Sequence, residues 1–363
     1  MEVVVLGGSG AMGSFVVEWL AAADAVEGVV AADADPDGGA DVADEAVTFE
    51  RVDVTDRDEL AAVLEPADVA VNCVGPFYRF APPVVEGAIA TATPLVDICD
   101  DYDVTEDLLA DYDERARDAG VTVVLGMGAS PGITNVLARR GADRLDDVTR
   151  IDVRVTRGAG ERTGPAIPYH VFNSWLGGVP TYREDAYETV QALRDGSEVA
   201  TFPKPFGQVT TYHFGHPETV TLPESIDGVE TVSCKGALLP PDVREALLGL
   251  QDLGFTDTTP LTVDGREVRP IDVAAAQLDR LSDVVGAGAD VPEGGAIVVE
   301  VAGTADGRER IERFAGTAGM RAATGAAAAA SEAYEMDLEH EVCAVGVDGS
   351  TSEGFQTAIF NGE

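Results

Sequence analysis

The sequence predicts an α/β protein: a doubly wound parallel sheet first, then a second α+β domain on a mainly antiparallel sheet. Three observations carry this expectation. Short apolar, β-branched runs alternate with helix-periodic segments through the first 130 residues. A glycine-rich turn joins the first such run to the first such helix. After residue 131 the texture changes to short strand-like runs broken by many Gly and Pro residues.

Glu2 to Leu6 is a short apolar run of the kind buried on both faces of a parallel sheet. Ser14 to Ala23 has helical periodicity, with Phe15, Val16, Trp19 and Leu20 on one face. Gly28 to Ala32 repeats the strand pattern and ends in Asp33. Leu60 to Leu64 and Val84 to Ala90 read as helix, and Val69 to Val74, Leu95 to Cys99 and Val121 to Leu125 as strands. A helix from Glu106 to Ala119 stops at Gly120. Ile133 to Leu145 is expected as a helix just after Pro131, followed by a strand from Ile151 to Thr156 with one charged face. A late strand is expected over Val298 to Ala302, and an Ala-rich helix over Thr324 to Tyr334.

Composition narrows the function. The 363 residues carry 65 Asp and Glu against 24 Lys and Arg, a net charge of -41, and only two of the bases are lysines, Lys204 and Lys235. Such a surface repels phosphate backbones and anionic membranes, so neither nucleic acid nor a membrane is expected as partner. No apolar run is long enough to span a bilayer and no signal peptide is expected at the N-terminus, so a cytoplasmic location is expected. Four scattered cysteines, without CxxC spacing, suggest no metal centre. His213 and His216 lie three residues apart without an evident third ligand. Near-absence of lysine with abundant Asp, Glu, Ala, Val and Gly points to a halophile, because concentrated salt screens the self-repulsion of such a chain. Isolated surface carboxylates are therefore weak evidence of catalysis.

The chemistry-bearing motif is VVVLGGSGAMG, which fits Gly-x-Gly-x-x-Gly at Gly8, Gly10 and Gly13, with Gly7 as a second register. It follows a strand and opens a helix, and Asp33 ends the second strand twenty residues beyond Gly13. That context predicts a dinucleotide-binding Rossmann fold. Gly8 is expected to permit the turn, Gly10 to admit the pyrophosphate to the backbone around Ala11 and Met12, and Gly13 to let helix and strand pack. Asp33 would accept from ribose hydroxyls, which favours NAD, with NADP as the alternative. Asp53 and Val54 follow a strand where adenine contacts occur, and an ordinary loop acid is the competing reading of Asp53. Cys73, Val74, Gly75 and Pro76 end the next strand on the same carboxyl edge.

The segments GGSGAMG, NCVGPFYRFAPPVVEGAI, LVDICDDYD and GMGASPGITNVLA together resemble the saccharopine dehydrogenase family of NAD(P)-dependent oxidoreductases. FNSWLGGVPTYREDA, LRDGSEVATFP and FGHPETVTLP resemble its second domain, and TGAAAAA resembles its C-terminal TGxxAA segment. The resemblance implies hydride transfer at a C–N bond of an amino-acid-derived amine or imine, in a homodimer. The expected divisions are a dinucleotide-binding domain over 1–130, a substrate and dimerisation domain over 131–315, and a C-terminal helix and tail over 316–363 packing back on the first. In one respect the chain departs from the family: its lysine-forming members use a Lys and a His as acid/base groups, and no lysine precedes Lys204 here.

Imine chemistry needs a proton donor or acceptor near nitrogen. Asp97, Asp101, Tyr102 and His170 are the candidates, the first three beside a strand on the cofactor edge. Tyr78, Arg79, Asn173 and Trp175 are the candidates for holding substrate, Arg79 through its planar fork. Structural readings compete at each: a solvated acid, a surface salt bridge for Arg79, a core residue for Trp175. Two other functions fit less well. A non-catalytic NAD(P)-binding redox sensor needs no large second domain, and F420-dependent reductases are typically shorter.

Overall fold

Glu2–Leu6 forms strand β1, and its alternating side chains supply both cores of the first sheet. Val4 and Leu6 join a cluster that includes Leu60, Leu64, Val84 and Leu108, while Val3 and Val5 pack with Val16, Leu20, Ala328 and Ala329 on the other face. A computed structural model of the chain describes residues 1–35, 37, 46–158, 166–285, 291–333 and 342–344. It forms two units, Met1–Asp143 with Arg321–Glu363, and Arg144–Met320.

In the first unit, β1 is followed by α1 (Gly13–Ala21), β2 (Gly28–Asp33), β3 (Val47–Arg51), α2 (Arg57–Leu64) and β4 (Val69–Asn72). Then come α3 (Phe77–Thr91), β5 (Leu95–Asp97), α4 (Tyr102–Ala119), β6 (Val123–Leu125) and α5 (Ile133–Ala142). The sheet order is β3-β2-β1-β4-β5-β6, every pair parallel, with Val342–Ala344 added outside β6. Reversal of direction beside β1 makes the crevice at the carboxyl ends of β1 and β4 a ligand position in such sheets. Each fully buried Val or Leu here contributes about 1.5–3 kcal/mol.

Helix boundaries follow local chemistry. Asp56 caps α2 by accepting from the amides of Asp58 and Glu59. Gly120, at φ +68°, closes α4 and lets Val121 donate back to the Ala116 carbonyl at 3.0 Å. The helix expected over Val84 to Ala90 starts earlier, at Phe77, and runs through Pro82 and Pro83. The carbonyls these prolines cannot serve belong to the exposed Tyr78 and Arg79, where water can reach them. Burial of Ala81, Val84, Val85 and Ala88 holds the helix together.

The second unit contains β7 (Asp147–Gly158), α6 (Ile167–Trp175), β8 (Gly178–Arg183), β9 (Ala186–Gln191), β10 (Glu198–Thr201) and β11 (Gln208–His213). It continues with α7 (Glu218–Ser225), β12 (Thr231–Leu239), α8 (Asp242–Asp252), β13 (Leu261–Val263), β14 (Arg266–Val268), α9 (Pro270–Val285), β15 (Gly295–Ala305) and β16 (Arg308–Ala318). The main sheet runs β10-β11-β12-β7-β15-β16, with β8 paired to β12 and β9. Only β12 and β7 are parallel; every other pair is antiparallel. Alternation on β7 buries Ile151, Val153 and Val155 on one face and sets Arg150, Asp152 and Arg154 on the other. Among the described residues no helix is long and apolar enough to cross a membrane.

Candidate functional site

The turn after β1 is held by backbone bonds: Gly7 and Gly8 donate to the Ala32 carbonyl at 2.7 and 3.1 Å, and Gly10 donates to Gly7 at 3.0 Å. The left-handed residue is Gly7, at φ +75°, so Gly7 permits the turn and the role expected of Gly8 moves one residue back. Gly8 is required by packing instead, since a Cβ there would stand 2.9 Å from the Ala31 Cα. At Gly13 a Cβ would meet the Gly7 carbonyl oxygen at 2.1 Å, so helix α1 can leave the strand this closely only with glycine. Gly10 differs, because a Cβ there would meet only the Gly7 oxygen, at 3.1 Å. Its outer side is open.

The amides of Ala11, Met12 and Gly13 take no acceptor among the described residues. They stand together at the start of α1, whose first turn carries no acidic side chain and no side-chain cap. Unclaimed N–H groups at a helix N-terminus make an anion site. The residues present therefore fit a dinucleotide pyrophosphate. Arg321, on the late helix Met320–Ala333, braces this turn: its Nε donates to the Ala11 carbonyl at 2.7 Å and its Nη2 to the Ser14 hydroxyl at 3.3 Å. Gly325 of the same helix lies against Phe15, leaving no room for a side chain. Sequence reading missed Arg321, which stands more than 300 residues from the motif.

Asp33 ends β2 beside the turn. Its Oδ2 accepts from the Ser9 hydroxyl at 2.6 Å and the Ser9 amide at 3.3 Å, and Oδ1 accepts from the Asp35 amide. The carboxylate is thus fixed at the mouth of the glycine turn. Asp53 behaves as a loop brace: the Thr55 hydroxyl and amide donate to its Oδ1 and hold its carboxyl below the usual range. Val54 is buried. Cys73 and Val74 sit against Gly7, where their atoms lie 3.1–3.2 Å from a Cβ built on that glycine. Gly75 and Pro76 follow as the entry to α3, so the β1 and β4 loops form one ledge.

The acids after β5 separate into different roles. Asp97 was a candidate acid/base group, yet its side chain is fully buried. Its Oδ2 accepts from Asn72 Nδ2 and its Oδ1 from the Cys99 amide, both at 2.7 Å. Asn72 in turn accepts from the Val74 amide at 3.1 Å. The trio ties the ends of β4 and β5 together. Burial, outweighing these bonds, pushes the Asp97 carboxyl up to about 6, and Asp100 adds to the rise. Burial, and the Asp97 charge after it, push the nearby Cys73 thiol up as well.

Asp101 precedes α4 and is 3% exposed; its carbonyl accepts from the Thr105 amide and hydroxyl. Tyr102 opens α4. Burial first, then the acids Asp103, Glu106 and Asp101, raise its phenol, so it stays protonated and keeps an O–H to donate. Tyr78 is exposed, and Arg79 lies over the Phe80 ring at 4.7 Å.

In the second unit, His170 on α6 stands edge-on to His216, ring centroids 5.9 Å apart, with its Nδ1 3.4 Å from the Ser174 hydroxyl. Asn173 is half-buried on the same helix. Trp175 is 5% exposed and stacks on Phe214 at 4.3 Å. It packs in the core of this unit, the competing reading given for it. In the sequence His216 stands out only by its spacing from His213. In the structure it forms a buried pair with Glu218, Nδ1 to Oε2 at 2.6 Å, and Glu218 is wholly buried.

Comparison with known proteins agrees with this arrangement. Residues 3–124 match the family described as saccharopine dehydrogenase NADP binding domain. A lipid droplet localized protein of Caenorhabditis elegans is 30% identical over 141 residues, 35% of this chain and 33% of that protein. A saccharopine dehydrogenase-like oxidoreductase of Mus musculus is 31% identical over 90 residues, 24% of this chain and 21% of that protein. The matched stretches thus span a third or less of these relatives. In fold, the chain is similar to the saccharopine dehydrogenase (L-Glu forming) of Saccharomyces cerevisiae, with a TM-score of 0.68 and 17% identity over 99% of this chain and 98% of that one. With its glycine turn, open amides and parallel sheet, the first unit is similar over residues 3–124 to the saccharopine dehydrogenase NADP binding domain.

Proposed function

We propose that this chain is an NAD(P)-dependent oxidoreductase acting at a C–N bond of a small amino-acid-derived amine or imine. The observation that carries the cofactor half is the row of unclaimed amides at Ala11, Met12 and Gly13, on a turn braced by Asp33 and Arg321. When bound, the nicotinamide supplies or accepts the hydride. Asp33 is the group that meets the adenosine ribose, and its fixed carboxylate favours a free 2′-hydroxyl, hence NAD. The description of the matching family as NADP-binding points the other way, and a comparison of the two cofactors decides it. The substrate half rests on the family resemblance and on the names of the relatives.

Proton handling falls to groups that can hold a proton at nitrogen. Tyr102, kept protonated, is suited to donate to a substrate amine or carboxylate. His170 and Asp101 are the remaining acid/base candidates, and Arg79 and Asn173 the candidates for gripping substrate carboxylates. Asp97 positions the ledge and takes no part in proton transfer. The test is absorbance at 340 nm in about 2 M KCl, chosen to shorten the Debye length to a few Å. The panel pairs NAD, NADP and their reduced forms with saccharopine, lysine, glutamate and polyamine-derived substrates. Substrate-dependent change with one of these establishes the reading. Dinucleotide binding with no turnover on any of them favours a redox sensor instead.

A further inference from the structure

The polar face of the second unit's sheet holds a cleft of about 250 Å³ that none of the roles above uses. The strand register arranges its walls in rows. Arg150, Thr231 and Arg183 lie abreast on β7, β12 and β8. Two residues along, Asp152 stands beside Ser233, whose hydroxyl donates to it at 2.7 Å. Two further along, Arg154, Lys235 and His213 lie abreast on β7, β12 and β11. Neighbouring strands are about 4.8 Å apart and successive rows about 6.6 Å, so long side chains from the outer rows lean over the central one.

The lining of this cleft is richer in cations than the chain as a whole. Four cations and two carboxylates line it, in a chain that has 24 basic and 65 acidic residues. Both carboxylates are already engaged, Asp152 with Ser233, Arg150 and Arg154, Glu198 with Arg154 and Lys235, and Arg154 also pairs with Glu300 at 2.7 Å. Arg150 reaches Asp152 through Nε alone, at 3.0 Å, and Arg183 reaches the half-exposed Glu188 through one Nη, at 3.4 Å. Each of the two arginine side chains is about half exposed, with further N–H groups beyond the one that makes its ion pair, on both sides of Thr231. Burial first, then Lys235 and Arg183, hold the His213 imidazole down at about 4, with Glu198 opposing.

We propose that this cleft binds a small organic anion with two or more acidic groups, one held between Arg150 and Arg183 and another near Lys235. The volume suits such a molecule, being room for about eight waters. Planar forks on both sides suit carboxylates and phosphates alike. The cleft is built from the second unit alone and does not rest on the oxidoreductase reading.

The test is calorimetric titration of the full chain at constant ionic strength, with citrate, succinate and inorganic phosphate as probes. Potassium chloride holds the ionic strength, so chloride is the competing background throughout. The paired variant Arg150→Gln/Arg183→Gln removes the forks from half-exposed positions, and Arg57→Gln, a surface ion-pair residue of the first unit, is the control. The expected result is saturable binding at one site per chain, weakened at least tenfold in the paired variant and unchanged in the control. Carboxylates and phosphate are separate arms, and the tighter one names the class. No saturable binding of any probe, or equal affinity in wild type and the paired variant, overturns the proposal.

Discussion

Arg321 donates from Nε to the carbonyl of Ala11 at 2.7 Å, bringing a guanidinium from the far end of the sequence onto the glycine turn. The bond is charge-assisted, of a class that contributes about 1.5–3 kcal/mol. Arg321→Ala should leave the sheet folded but loosen the turn, raising the Kd for dinucleotide about tenfold, or about 1.4 kcal/mol. A fluorescence titration of the reduced cofactor measures this. An unchanged Kd would mean that the bracing has no bearing on binding.

Two glycines of the turn should separate folding from binding. Gly13→Ala drives a methyl group into the Gly7 carbonyl, 2.1 Å away, and should lower stability by about 1–3 kcal/mol. Gly10→Ala meets that carbonyl at 3.1 Å on an otherwise open side, so its melting temperature should stay near wild type. Its dinucleotide affinity should nevertheless fall about tenfold or more, because the methyl occupies the side from which the pyrophosphate approaches. Paired melting curves and titrations compare the two.

Asp97 makes a pH prediction whose sign is unusual for an acid. Its folded-state carboxyl sits at about 6, above the 3.8 of an ordinary aspartate. Between those limits the folded state holds a proton that the unfolded state has lost, so this group's contribution to stability falls as pH rises. The full effect is on the order of 2–3 kcal/mol, taking 1.36 kcal/mol per pH unit. Denaturant unfolding of wild type and Asp97→Asn across pH 4 to 6 isolates it. The wild type should gain stability relative to the variant as pH falls. Parallel curves would contradict the buried, proton-retaining assignment.

Salt should matter as much as pH. A net charge of -41 repels itself across the molecule, and raising KCl from 0.1 to 1 M shortens the Debye length from about 10 to about 3 Å. The unfolding midpoint should therefore climb steadily from 0.1 to 2 M KCl. A flat midpoint would dissociate the composition from salt adaptation.

The first unit was legible because its signals are local. β1, the glycine turn and Asp33 lie within 33 residues, and the spacing alone sets their order. Where long-range contact decides, sequence reading ran out. Asp97 was placed at the correct sheet edge, but no pattern tells whether a residue at a strand end faces the crevice or its neighbouring strand. Pro82 and Pro83 hid the first half of α3, since prolines read as breakers unless the burial behind them is known. In the second unit the Gly- and Pro-rich texture masked α6 to α9. The His216–Glu218 pair was missed because an acidic composition makes every glutamate look solvated, and only burial distinguishes this one. The rows on the polar face of β7 and β12 needed register, which one chain's periodicity does not fix.

The central claim is that the turn at Gly7 to Gly13 holds a nicotinamide dinucleotide. Titration of the full chain with NADH and with NADPH in about 2 M KCl, followed by cofactor fluorescence, tests it most directly. The account predicts saturable binding of one cofactor per chain, tighter for NADH if Asp33 meets the ribose as proposed, and weakened in Gly10→Ala. Failure of both cofactors to bind would contradict it.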